Sequence, residues 1–399
     1  MKYIVVVGAE MSNKGAQSML FQIVNEMCKR YPAKKVVAFI DQKSDLIKNM
    51  QHIYNFEIAA FGPKDILFLY GGIQSLTAKM LGVSKENVTH LKEILKNTCL
   101  AFDVSGYSLS SNWIGLNSIK YLYRLAIFKK YKIPTVVMPQ SFGPFDYKPL
   151  FKQYINKIGR KLLTYPVLIF AREDFSYHIV KKQFCLNNVN LSRDMVLMGG
   201  EVDKAAVLQS DIQLREYHIK KNSVAVVPNK KLADKLSFEK ALSIYKDVVD
   251  SLIEYGRIVY IVQHSEADID LSLKIKESYH DNSAVILLQE DLNCLEYDLL
   301  IKQFDYIIAS RYHALVHAYK QNIPCVAIGW SEKYNSLMEA IGQSQYMIDA
   351  RDFDKKDLLK KIAVMQQGYL DEKKKIKLFF ENMDEDIYEL IFSKVKIKE

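Results

Sequence analysis

The sequence predicts an α/β protein of two Rossmann-like domains facing a central cleft. Two observations predict it. Short, β-rich apolar runs alternate with longer stretches of helical period along most of the chain, as in a parallel sheet covered by helices. The alternation lapses once, over the polar and weakly periodic residues 199–222, and a second alternating set then begins. At 399 residues the chain is also too long for one ordinary core. The expected organisation is a first domain over 1–198, a connection over 199–222, a second domain over 223–368, and a C-terminal helical segment over 369–399 whose candidate partner is the first domain.

The elements justify this in order. Residues 3–7 (YIVVV) read as a buried strand, 8–15 as the loop after it, and 16–31 as an amphipathic helix. The loop is neither GxGxxG nor a P-loop, because no Gly-Lys-Ser/Thr follows Gly15. Strands are expected at 36–40, at 65–70 running into Gly71-Gly72, and at 100–104. A long helix follows at 113–131, with further strands at 134–138, 167–171 and 188–192. The turn 139–145 (PQSFGPF) owes its shape to Gly and Pro. In the second set, strands are expected at 223–227, 257–262 and 284–288, with helices at 238–255 and 292–303. The last helices are expected at 354–366 and 370–392.

The informative stretch is 304–342. Residues 304–309 form a buried strand, and Ser310-Arg311-Tyr312-His313 follows it at once. Leu315, Ala318 and Tyr319 then recur at helical spacing. Asn322-Ile323-Pro324 ends that helix, 325–328 is a second strand, and a helix runs on to Gly342. Ligands of open parallel sheets sit outside the carboxyl ends of the strands, which is where Arg311 and His313 fall. Arg311 is a planar fork suited to carboxylate or phosphate. His313 can exchange a proton near neutral pH, and the charge of Arg311 beside it favours a neutral resting imidazole. The N-terminus of the helix at Tyr312 favours anions. Lys333 opposes the dipole of the helix it opens, so it is expected to face something negative.

These residues resemble the polysaccharide pyruvyl transferases: Arg-x-His, a helix of small residues, Pro, a strand, and a Lys-containing helix ending Ile-Gly. Further pieces resemble the family upstream. They are Asn13-Lys14-Gly15-Ala16, the Ser-Phe-Gly-Pro-Phe turn that Ser141 opens with Gln140 before it, Arg172-Glu173 with Ser176, and Arg193-Asp194. Asp103 and Gly106 stand where the family has a glycine-rich turn, without its glycine cluster. The resemblance implies a GT-B-like arrangement and transfer of the enolpyruvyl group of phosphoenolpyruvate to sugar hydroxyls, giving a pyruvate ketal. His313 would be the acid/base, with Arg311, Arg172 and Lys333 on the donor. Tyr312, Asn13, Lys14, Gly15, Gln140, Ser141 and His264 are the other candidate contacts, although a solvated loop histidine is the plainer reading of His264. The second domain would take the donor and the first the acceptor glycan, free or lipid-linked. No cofactor and no metal are expected. His313 and His317 share a helix face, yet Ala-Leu-Val between them supplies no base and no third ligand is evident.

Composition sets the remaining bounds. No apolar run approaches the length of a membrane span, and the first residues do not read as a signal peptide. The five cysteines are scattered without metal spacing. A cytoplasmic enzyme, including one at the inner face of the membrane, is the expectation. The net charge of +9 fits either a Lys-rich surface or an anionic partner such as phosphoenolpyruvate, a lipid diphosphate or a membrane face. Nothing in the sequence marks nucleic-acid binding. Two other readings stay open: a nucleotide-sugar glycosyltransferase of the same fold, for which Glu332 and Glu339 are the nearest acidic pair, and a non-catalytic binding protein.

Overall fold

Why these runs form strands is plain from their burial. β8 (Ser223–Val227), β12 (Cys325–Gly329) and β5 (Thr135–Gln140) are buried at every position, as expected of parallel strands with helices on both faces. The computed structural model describes residues 2–71, 84–383 and 386–397. They form two compact units. One comprises Met1–Met11, Met19–Gln213 and Glu385–Glu399; the other comprises Ser12–Ser18 and Leu214–Asp384.

Unit 1 holds a seven-stranded sheet in the order β3-β2-β1-β4-β5-β6-β7. Besides β5, its strands are β1 (Tyr3–Val7), β2 (Lys35–Ile40), β3 (Glu57–Ala60), β4 (Thr98–Asp103), β6 (Leu168–Ala171) and β7 (Val189–Leu191). Every pairing is parallel. By register Val5, Val7, Val37, Phe39 and Ala101 share a face with Val137 and Ile169, and that face carries two apolar clusters side by side, one over β1, β2 and β4 and one over β5 and β6.

Unit 2 holds a parallel sheet in the order β10-β9-β8-β11-β12-β13. The further strands are β9 (Ile258–Val262), β10 (Val285–Leu288), β11 (Tyr306–Ala309) and β13 (Met347–Asp349). In both sheets the strand order reverses once, between β1 and β4 and between β8 and β11. Loops diverge at such a point and leave a crevice at the carboxyl ends of the two strands. Arg311 and Asn229 lie two residues beyond β11 and β8, and Gly8 lies one residue beyond β1.

The structure corrects several expectations. Residues 65–70 are not a strand but lie in a helix, Pro63–Gly71. Its buried residues, Ile66 and Leu69, are three apart, and Asp65 accepts from the Gly62 N–H at 2.9 Å to cap its start. Gly72, expected next, lies outside the described residues. β3, β13 and the helix Lys85–Lys96 went unanticipated. The two terminal helices expected at 354–366 and 370–392 are instead Lys355–Glu381 and Ile387–Lys394. Gly368 does not break the first, since one interior Gly costs only about 1 kcal/mol.

The connection expected at 199–222 is divided. Gln22 Nε2 donates to Gly200 O at 2.9 Å and Asn55 Nδ2 to Leu208 O at 2.6 Å, which ties 199–213 to unit 1. The Arg215 N–H donates to Glu296 at 3.0 Å within unit 2. The first turn of the helix Lys14–Arg30 counts with unit 2, whereas the rest of that helix counts with unit 1.

Candidate active site

At the carboxyl end of β11 the chain is held by Ser310. Its carbonyl accepts from Asn229 Nδ2 at 2.6 Å and from Tyr334 OH at 2.8 Å, and its Oγ accepts from Tyr245 OH at 2.8 Å. All four residues are buried, so these bonds lock the backbone from which Arg311 and His313 project. Arg311 is the N-cap of the helix Tyr312–Lys320. Its guanidinium grips Asp268 in a two-pronged ion pair, with Nε to Oδ2 at 2.8 Å and Nη2 to Oδ1. Asp268 is fully buried and also accepts from the Lys230 N–H at 2.9 Å. Nothing in the sequence marked Asp268 as a partner. Its charge offsets that of Arg311.

The loop 13–15 reaches this place. Asn13 makes an isolated antiparallel bridge to Ser265, and its side chain accepts from the Gly15 N–H at 3.1 Å. A Cβ on Gly15 would stand 2.1 Å from His313 Cγ, so only glycine lets the backbone lie against the imidazole. Lys14 is buried and pairs with the exposed Asp291 at 2.9 Å. Gln17 Oε1 accepts from the Cys294 N–H at 2.6 Å, at the start of the helix Cys294–Ile301.

Behind His313 lies a buried aromatic and imidazole cluster. His317 has Nδ1 2.6 Å from Asp298 Oδ1 and Nε2 3.1 Å from Ser18 Oγ, so both ring nitrogens are engaged. His264 is 1% exposed. That corrects the reading of a solvated loop histidine, and the reason is that the bridge to Asn13 and the ring of Tyr297, 5.1 Å away, cover it. Burial, then the neighbouring His317, Arg311, His313 and Lys14, hold it well below the usual imidazole range and therefore neutral. Neither of its ring nitrogens has a hydrogen-bond partner among the described residues. An orphaned buried polar atom costs roughly 1–3 kcal/mol, which a ligand can recover.

Lys333 does not stand bare at its helix end. Its Nζ lies 5.2 Å from the ring centroid of Tyr312, 5.4 Å from Trp330 and 5.5 Å from Tyr334, a half-cage that holds the ammonium by cation–π attraction. Glu332 beside it pairs with Arg351 at 3.0 Å, which holds its carboxyl below the usual range.

Arg172, Gln140 and Ser141 belong to unit 1. Arg172 is turned inward: Nε donates to Ser141 Oγ at 2.9 Å and to Glu173 at 3.0 Å, and Nη1 to Asp194 at 2.8 Å. Ser141 donates to Glu173 at 2.6 Å, and Ser176 donates to the same carboxylate at 2.6 Å. These bonds engage the Arg172 guanidinium within unit 1. It is the cation of a buried network that joins the ends of β5 and β6 to Asp194. Gln140 is fully buried at the end of β5.

Unit 1 has its own crevice at the β1/β4 reversal. A cavity of about 350 Å³ is lined by Gly8, Glu10, Asp41, Gln42 and Phe61 together with Lys120 and Arg124. A second, of about 270 Å³, shares those two cations and is lined by Tyr107, Trp113 and Asn117. Gly8 has φ +91°, and a Cβ there would meet Ser105 Oγ at 2.2 Å, so the crevice floor requires glycine. The cations are internally compensated: Lys120 bonds Asp41, and Arg124 lies 3.5 Å from the buried Asp103. Sequence reasoning noted the loop at Gly8 and the turn 103–108 but did not join them into a crevice, because its lining comes from five separate segments.

A family model of the polysaccharide pyruvyl transferases matches residues 15–332, most of the chain. The chain belongs to the polysaccharide pyruvyl transferase family. It is therefore an enzyme that transfers pyruvate to polysaccharide. The match begins at the glycine under His313 and ends one residue before Lys333, so it spans Arg311 and His313. No curated protein matches the sequence. Solved structures are similar in fold. The UDP-GlcNAc 2-epimerase of Methanocaldococcus jannaschii has a TM-score of 0.56 at 11% identity, over 92% of this chain and 93% of that one. S. aureus MnaA with UDP scores 0.57 at 9% identity over 96% and 91%. Anabaena HepE in complex with UDP scores 0.54 at 10% identity over 100% and 96%. At such identities the likeness is one of fold, and it places this pyruvyl transferase among GT-B-like proteins.

Proposed function

We propose that unit 2 binds phosphoenolpyruvate and that His313 is the acid/base of pyruvyl transfer. The observation that carries this is the convergence of Arg311, His313, His264, Lys14 and a helix N-terminus at the β8/β11 reversal. A carboxylate and a phosphate on one small enol call for charge-assisted donors from several directions. Arg311 offers the guanidinium edge that Asp268 leaves, the Tyr312 helix end offers backbone N–H groups, and Lys333 and Lys14 add charge. His264, kept neutral by burial, gives a donor or an acceptor without adding repulsion.

A proton is delivered to the methylene carbon, which becomes a methyl group and leaves an oxocarbenium-like centre at C2. One sugar hydroxyl adds there and a second displaces phosphate, so two C–O bonds form and one breaks. Two hydroxyl protons are released; one replaces that given to the methylene and the other leaves with hydrogen phosphate. His313 serves both transfers, since imidazole gives and takes near neutrality. The acceptor glycan occupies the unit 1 crevice. There Arg124 Nε and Gln42 Oε1 are buried without hydrogen-bond partners among the described residues, one donor and one acceptor facing a cavity of compensated charge. That suits hydroxyls better than a bare anion.

Ligand-dependent melting tests the donor assignment. Phosphoenolpyruvate at a hundred times its Kd should stabilise the protein by about 2.7 kcal/mol, and Arg311→Ala should remove most of that shift. A shift with UDP-sugars and none with phosphoenolpyruvate would replace this reading with a glycosyltransferase.

A further inference from the structure

The chain's charge is not spread evenly. Residues 104–171 hold ten Lys and Arg and a single acid, Asp146. Their net +9 equals that of the whole chain, so the rest sums to zero. Two helices dominate this stretch, Gly115–Lys130 and Pro149–Leu162, and neither contains an acidic residue. They pack on one another: a Cβ on Gly115 would lie 2.8 Å from the Phe151 ring, and the Tyr123 and Tyr154 hydroxyls are hydrogen-bonded. Where they meet, Leu150 is 82%, Ile114 72% and Leu116 61% exposed. Lys148 and Lys152 flank Leu150 and are exposed as well. The inner face of Pro149–Leu162 is already used, by Ile155, Gly159 and Leu162.

A solvated face needs no protruding aliphatic tips, and a nucleic-acid surface has no use for them. An anionic lipid surface uses both features: the tips enter the acyl boundary while the lysines meet the headgroups. We infer that the junction of these two helices docks on an anionic membrane surface through Leu150, Ile114 and Leu116, with Lys148 and Lys152 at headgroup level. Among the described residues no helix is long and apolar enough to cross a membrane, so the contact is that of a face. Trp113, Asn117 and Lys120 at the same helix start line the 270 Å³ cavity. The docked face therefore borders the crevice assigned above to the acceptor. That last link rests on the proposed function; the docking does not.

Vesicle co-sedimentation of the full chain tests it. The protein should pellet with phosphatidylcholine vesicles containing phosphatidylglycerol, not with pure phosphatidylcholine, and added salt should weaken the binding. The triple variant Leu150→Ser/Ile114→Ser/Leu116→Ser and the double variant Lys148→Glu/Lys152→Glu should each lower partitioning roughly tenfold or more. Melting temperatures should stay unchanged, because all five side chains are exposed. No partitioning of the wild type would overturn the inference, as would a triple variant that binds as well as wild type. Duplex DNA binding that outcompetes the vesicles would overturn it in favour of nucleic acid. Phosphoenolpyruvate-dependent melting is a separate readout, so either proposal can fail without the other.

Discussion

The imidazole of His313 and the guanidinium of Arg311 differ in what surrounds them, and that difference separates their expected phenotypes. Arg311 is braced by a buried carboxylate, so its removal also strands Asp268, whereas His313 lies against backbone at Gly15. His313→Gln should therefore cost roughly 10²–10⁴ in kcat while phosphoenolpyruvate-dependent melting stays close to wild type; turnover within a few-fold of wild type would remove its acid/base role. His264 carries a pH signature. Its folded form resists protonation, and the unfolded chain takes up the proton at an ordinary imidazole value of 6.5. The unfolded state then binds more protons, so stability rises with pH and its full contribution is present above about 6.5. It is lost as the pH falls below that value, with a slope approaching about 1.4 kcal/mol per pH unit. Denaturant unfolding between pH 7 and 5 should fall less steeply in His264→Gln than in wild type. Equal slopes would mean that His264 is protonated in the fold.

Among the elements, the helix Tyr312–Lys320 and the loop 13–15 make one device. Ser310 fixes the helix start through three buried bonds, and Gly15 sets how closely the loop approaches. Gly15→Ala places a methyl 2.1 Å from His313 Cγ, so the ring or the loop must move. A displacement of about 1 Å at a reacting group costs roughly a hundredfold. Activity should drop by that order with only a small change in melting temperature; full activity would show that the loop accommodates the methyl elsewhere. The helix Pro63–Gly71 shows where element reading went astray. Its apolar run suited a buried strand, and the deciding signals were Pro at the first turn and the Asp65 cap.

At the scale of the molecule, the chain enters unit 1, passes to unit 2, and returns. The helix Ile387–Lys394 lies in unit 1, where Phe392 packs 5.4 Å from Tyr31 and the Arg30 guanidinium covers Phe392 at 5.3 Å and Tyr388 at 5.9 Å. Ile391 of this helix is fully buried. Ile391→Asp buries an unpaired charge and should destabilise unit 1 by about 3 kcal/mol or more. Hydrogen exchange should rise in β1 and β2 ahead of β8 and β11. Uniform exchange across both sheets would mean that the chain end contributes nothing special to unit 1.

The strand ends that frame the candidate site are legible in the amino-acid order. Parallel strands buried on both faces leave continuous apolar runs, so β1, β8, β11 and β12 announced themselves, and with them the carboxyl ends where Arg311 and His313 stand. The Asn13-Lys14-Gly15 loop stands out in the amino-acid order through its likeness to the family's loop, which leaves a simple turn equally open. That order could not show that this loop lies on His313, that Asp268 answers Arg311, or that Arg172 faces inward. Those are pairings between residues tens to hundreds of positions apart, and they leave no periodic trace. Hydrophobic pattern is a local property read by each element alone, whereas the partner of a charge depends on which loops the sheet order brings to the same end, and only tertiary structure decides that.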